Sequence, residues 1–237
     1  MTDQAALANH MTIAGRDGAF SAYVAHPITL PAPAVVVLHE VFGVNSDIRA
    51  HCDELAAQGF LAVAPDLFWR LEPGVDLGVT DPADFQHGFK LYQAFDRDAG
   101  ARDAEDTISA VRTLPECTGK VALLGYCLGG LMTFLTAARS GVDSAVAWHG
   151  GETEKYLSEA DGITAPLLMH LAGDDEYMSA DAQAAIKGAL GGKPNVTIYT
   201  YPGQGHAFSR HGGERFNAEA AALANRRTNE FLKQQLD

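Results

Sequence analysis

The chain has 237 residues, 47% of them hydrophobic and 20% charged, and 17 Lys+Arg against 30 Asp+Glu leave a net charge of −13. This is the composition of a folded globular protein, large enough to bury a core without a disulfide or metal staple, and not of a disordered or low-complexity one. The acidic balance excludes nucleic acid and anionic membrane as expected partners, because both require basic patches.

The first elements are two short extended runs, Met11–Ala14 and Phe20–Ala25, joined by Gly15-Arg16-Asp17-Gly18, where Asp-Gly punctuation signals a hairpin. From Ala34 to Leu38 the sequence is continuous and mostly β-branched, the pattern of a strand buried on both faces of a parallel sheet. Similar runs recur at Leu61–Ala64, Val121–Leu124, Ala145–Trp148, Leu167–Leu171 and Val196–Tyr201. Between them lie helical patterns: Ser46-Asp47 capping a helix through about Gln58, then Asp103–Arg112, Leu128–Arg139, Ala180–Leu190 and Arg215–Leu236. Alternating strands and helices predict an α/β fold with a mostly parallel central sheet and helices on both faces. A single domain over residues 1–237 is expected. The stretch from Leu71 to Gly100 has no strong strand but holds the helix-like Phe85–Phe95, and it is read as a lid-like insertion.

The three cysteines, Cys52, Cys117 and Cys127, form no C-x-x-C pair, so neither a disulfide framework nor a zinc ribbon is expected. The start Met1-Thr2-Asp3-Gln4 has no basic segment leading into an apolar run, and no stretch approaches about 18 apolar residues. A cytoplasmic location with free thiols is therefore the expectation, and one thiol is available as a nucleophile.

The segment Val121–Gly130 reads strand, then Gly125-Tyr126-Cys127-Leu128-Gly129, then helix: a nucleophile elbow with sulfur in place of the usual serine oxygen. Side chains at 125 or 129 would collide with backbone at such a sharp turn. The following helix would aim its N-terminus at Cys127, favouring thiolate and an adjacent oxyanion. An elbow needs an acid and then a histidine downstream. The strand Leu167–Leu171 runs into Gly173-Asp174-Asp175-Glu176, and the strand Val196–Tyr201 into Gly203-Gln204-Gly205-His206. Both loops leave carboxyl ends of parallel strands, where open α/β sheets bind ligands. Asp174 and Asp175 compete for the acid's role, one capping the turn and the other facing the histidine.

The segments Gly125-Tyr126-Cys127-Leu128-Gly129-Gly130, Leu38-His39-Glu40-Val41-Phe42-Gly43 and His206-Ala207-Phe208 together resemble the dienelactone hydrolase family. The resemblance spans nearly the whole chain. It implies an α/β-hydrolase fold, a Cys–Asp–His triad, hydrolysis of an activated cyclic ester (typically the enol-lactone of bacterial catechol degradation) and no cofactor. By the same resemblance Cys127 is the nucleophile, His206 the general acid/base and Asp175, preferred over Asp174, its orienter. The N–H groups of Leu128 and Val41 form the oxyanion hole. Glu40 lies near the resting thiol, which its like charge keeps protonated, and takes the proton when substrate moves it. Arg210 binds the substrate carboxylate and pairs with the resting Glu40.

The run Lys90-Leu91-Tyr92-Gln93-Ala94-Phe95-Asp96 aligns the lid with the family's lid helix, but Phe85, Phe89 and Tyr92 stand where an Arg, a Tyr and a Trp are usual. Their spacing puts the three on one helix face, which either walls the pocket or buries the lid on the body. The expected partner is a small ester or lactone, and the chain is expected to act as a monomer. A broader carboxylesterase acting on a less polar substrate is an alternative, as are a non-catalytic ligand binder and a thiol redox sensor. Cys52 and Cys117 are read as structural thiols, His39 and His149 as satisfied core histidines in preference to residues lining the crevice, His87 as solvated rather than as a partial substitute for the absent Arg, and Trp69 as a pocket wall. No converging metal-ligand set is legible, so no metal is assigned.

Overall fold

The computed structural model describes residues 9–237; the Met1–Gln4 start lies outside them. Strands β1 (His10–Gly15) and β2 (Gly18–Ala25) form the expected hairpin, with Gly15 paired to Gly18 around Arg16-Asp17. Then follow β3 (Ala32–Leu38), α1 (Ser46–Ala57), β4 (Leu61–Pro65), α2 (Pro82–Ala94), α3 (Arg97–Arg112), β5 (Cys117–Tyr126) and α4 (Leu128–Arg139). After β6 (Ser144–Trp148) come a 3-10 helix (Thr153–Gly162), β7 (Leu167–Ala172), α5 (Ala180–Leu190), β8 (Val196–Tyr201) and α6 (Ala218–Leu236). The sheet has eight strands in the order β1-β2-β4-β3-β5-β6-β7-β8, antiparallel from β1 to β4 and parallel from β4 onward.

Burial on both faces follows from the unbroken apolar runs. Along β3, Val36 and Leu38 share a core with Ile108 of α3 and Leu135 of α4. Val35 and Val37 pack on the opposite face with Ile48 and Leu55 of α1 and Leu232 of α6. All four β3 side chains are fully buried, each contributing about 1.5–3 kcal/mol of hydrophobic stabilisation. Among the described residues no helix is long and apolar enough to cross a membrane.

Some boundaries differ from the sequence expectation. The cap of α1 is Asn45, whose side chain accepts the Ile48 N–H, rather than Ser46-Asp47. Helix α3 starts six residues before Asp103, capped by Asp96, so the excursion after β4 ends sooner than Gly100. Its polar first turn hid the amphipathic period. The 3-10 helix went unpredicted because its bonding leaves no 3.6-residue pattern. Helix α6 begins at Ala218, where Asn217 caps it, instead of at Arg215.

Candidate active site

Strand β5 ends beside β3, Gly125 pairing with Leu38, so Cys127 and Glu40 emerge two residues later on neighbouring carboxyl ends. Cys127 takes φ 54 and ψ −113, a conformation rarely adopted by a side-chain-bearing residue, and is the residue before the first turn of α4. The glycines around it permit the turn. A Cβ on Gly125 would stand 2.1 Å from the Gly129 carbonyl oxygen, and one on Gly129 would stand 2.0 Å from that of Leu38. The Leu128 N–H opens α4, where helix donors have no intrahelical acceptor, and Leu128 and Val41 line the same cavity as Cys127.

Strands β7 and β8 pair to their last residues, Ala172 with Tyr201, and their exit loops bring Asp175 and His206 together. His206 Nδ1 lies 3.0 and 2.9 Å from the two Asp175 oxygens, and the Tyr177 N–H donates to the same carboxylate. Asp174 is exposed on the turn, whereas Asp175 is buried. The other His206 nitrogen, Nε2, is buried without a hydrogen-bond partner. A His206 ring nitrogen, Cys127 Sγ and a Glu40 oxygen all lie within 4.8 Å of one another. Burial opposes charge on His206, but the sulfur of Cys127 and the Asp175 carboxylate favour it more and lift the imidazole to about 10. The same donors could hold a thiophilic ion, which would block the sulfur.

Glu40 is buried, and Arg210 grips both of its oxygens, Nε to Oε2 at 2.6 Å and Nη2 to Oε1 at 2.9 Å. Burial alone would raise this carboxyl; the guanidinium instead brings it down to about 2. At rest, then, the carboxylate is engaged by Arg210 rather than by the thiol.

The cavity over Cys127 measures about 720 Å³. Helix α2 roofs it, seated by Gly88, whose missing Cβ lets the helix approach the Val41 carbonyl. Phe85, Phe89 and Tyr92 line the cavity; the first two are each 38% exposed, while Tyr92 also packs on the core. Their rings form a stacked series, 6.1 Å from Phe85 to Phe89 and 5.9 Å from Phe89 to Tyr92. His87 meets Glu72 on the exposed side, as expected of a solvated residue.

Two residues depart from their sequence reading. His149 is not a satisfied core histidine: both ring nitrogens are buried without partners, and its ring packs edge-on against His206 at 4.5 Å. Burial and the neighbouring His206 lower it to about 3. Trp69 is not a pocket wall, because it stacks on Phe20 and donates its indole N–H to Asp103. His39 is a satisfied core residue: Nε2 accepts the Leu67 N–H, so Nδ1 carries the hydrogen toward the Glu40 carbonyl. Cys52 and Cys117 are buried free thiols.

Sequence reasoning missed Glu152 and Tyr177. Glu152, at φ 70, accepts from Tyr92, Arg97 and Lys155 on the cavity wall, tying α2 to the 3-10 helix. Tyr177 stands edge-on to His206 at 4.9 Å. The only sequence signal for either was its place just after a strand's carboxyl end.

Residues 20–236 match the dienelactone hydrolase family. A relative from Azospirillum brasilense is 44% identical over 227 residues, covering 94% of this chain and 96% of that one. The carboxymethylenebutenolidase of Pseudomonas putida is 40% identical over 227 residues, covering 95% and 96%. A crystal structure from Klebsiella pneumoniae superposes with a TM-score of 0.84 at 26% identity, covering 96% and 98%.

Proposed function

Since the chain belongs to the dienelactone hydrolase family, and is thereby a carboxylic ester hydrolase, we propose that it cleaves an activated ester or enol-lactone through Cys127, Asp175 and His206. One observation carries the reading: His206 is clamped by Asp175 on one nitrogen and leaves the other unbonded beside a sulfur at the head of a helix. In the proposed cycle a substrate carboxylate draws Arg210 away, and the freed Glu40 accepts the thiol proton. The sulfur attacks the carbonyl carbon while the Leu128 and Val41 N–H groups receive the oxyanion. The C–O bond breaks, the leaving oxygen takes the proton that Glu40 accepted, and a thioester remains.

His206 then changes role. Its raised proton affinity comes in part from the sulfur, whose contribution acylation removes, and in part from Asp175, which still orients the ring. Nε2 takes a proton from water as the water oxygen attacks the thioester carbon; the C–S bond breaks, the acid is released and the proton passes from His206 to the sulfur. These steps call on no cofactor and on no partner beyond a small-molecule ester, and we place the enzyme in the cytoplasm as a monomer.

A second reading, a less polar ester substrate, is favoured by one observation: Phe85, Phe89 and Tyr92 present a ring series to the cavity. Turnover of an enol-lactone and a chromogenic aryl ester tests both, with iodoacetamide-treated protein as control. Turnover of either, lost on alkylation, is expected. Turnover that survives complete alkylation of Cys127 overturns the cysteine mechanism, and none with any ester makes the chain a binder.

A further inference from the structure

One residue beyond Arg210, the loop presses His211 against α1. The His211 backbone N–H and its ring Nδ1 each lie 2.8 Å from Asp47 Oδ1. One turn along the helix, His51 places Nε2 3.7 Å from the same oxygen. The donor atoms of Asp47, His51 and His211 all lie within 4.8 Å of one another. Glu54 sits on the opposite edge of both rings, Oε1 3.0 Å from His211 Nε2 and Oε2 3.6 Å from His51 Nδ1. Residues 47, 51 and 54 share one face of α1, as their spacing dictates. His51 stacks on Tyr126 at 4.5 Å and meets the His211 ring at a tilt, 4.6 Å away.

We propose that Asp47, His51 and His211 bind a divalent cation of the zinc class, with Glu54 orienting both imidazoles. The contacts are tight at His211 and looser at His51, whose two nitrogens stand 3.6 and 3.7 Å from carboxylate oxygens. A dication between Asp47 and the two rings satisfies all three. In a tetrahedron with bonds near 2.0–2.1 Å the donors stand about 3.3 Å apart, and the 2.8 and 3.7 Å separations bracket that value. Two imidazoles and one carboxylate are a zinc-type donor set, and a ligating histidine ordinarily gives its other N–H to a carboxylate, the place Glu54 occupies. Asp47 and His51 are buried, while His211 is about a third exposed and leaves a route for the ion and a completing solvent molecule. The bound ion would pin the Arg210 loop to α1.

The test uses Cys127→Ala protein, because Cys127 with Glu40 and His206 offers a separate donor set. Calorimetric titration with Zn2+ is expected to show one equivalent bound, and Co2+ to give visible bands of a four-coordinate N/O site. A Tm rise in excess Zn2+ should accompany binding. His211→Gln, an exposed-loop change that spares the buried helix face, is expected to weaken Zn2+ at least about tenfold and abolish the Tm rise, and Glu54→Gln to weaken it about 10–100-fold. No Zn2+ binding by Cys127→Ala at about 1 mM, or binding that survives His211→Gln unchanged, overturns the assignment. Binding confined to the parent thiol protein would assign the ion to Cys127 and overturn it equally.

Discussion

Arg210→Met probes the contact on which the resting state depends. The substitution removes the guanidinium that lies over the Phe42 ring and leaves Glu40, 4% exposed, as a buried carboxylate without its partner. Two routes give the cost. Removing one member of a buried pair is worth about 3–5 kcal/mol, and the lower end applies because Arg210 is 16% exposed beside a wet cavity. Separately, the Glu40 carboxyl is lowered from 4.5 to about 2. At about 1.4 kcal/mol per tenfold change in proton affinity, that is about 3 kcal/mol. Because the folded value is depressed, this stability is fully present above about pH 4.5 and is lost as the pH falls through about 2. Urea unfolding at pH 7 should therefore show a loss of about 3 kcal/mol, a Tm drop of roughly 6–12 °C for a chain of this size. The difference should shrink to about half by pH 3 as the unfolded chain protonates. Adding Glu40→Gln to the variant should restore stability, since no buried charge remains. A loss below about 1 kcal/mol at pH 7, or one equal at pH 3 and pH 7, refutes the reasoning.

Three further outcomes follow from the geometry. Cys127→Ala and His206→Ala are each expected to lower kcat/KM at least about 1,000-fold and the double variant scarcely further, because the two act as a unit; multiplicative losses would count against the triad. Gly129→Ala sets a methyl 2.0 Å from the Leu38 carbonyl oxygen, so it should cost about 3 kcal/mol in thermal or urea unfolding, whereas Gly192→Ala, with nothing within 4 Å, should change stability by less than about 0.5. Phe85→Arg should raise kcat/KM for a carboxylate-bearing enol-lactone over its neutral methyl ester by about tenfold or more; an unmoved ratio with collapsed stability would make Phe85 a packing residue.

The sheet and the elbow were legible because they are written in neighbouring residues. Apolar runs such as Ala34–Leu38 can be satisfied only between two covered faces, and glycines flanking a cysteine at a strand-to-helix step permit one backbone path. Asp175 and His206 were legible for the same reason: each follows a strand end, and parallel strands deliver their exit loops to one edge. Which side chains meet there was decided by the tertiary structure. Glu40 and Arg210 are 170 residues apart, a pairing anticipated only through the family resemblance, and Asp47 and His211, 164 apart, carried no sequence signal at all. No local pattern encodes such encounters, because they depend on strand register and on the path of the loop after β8. The same holds for His149, whose place after β6 suggested an ordinary core imidazole until the fold set it against His206. Local sequence determines the elements and their edges; contact between side chains far apart in the chain appears only when packing closes the distance.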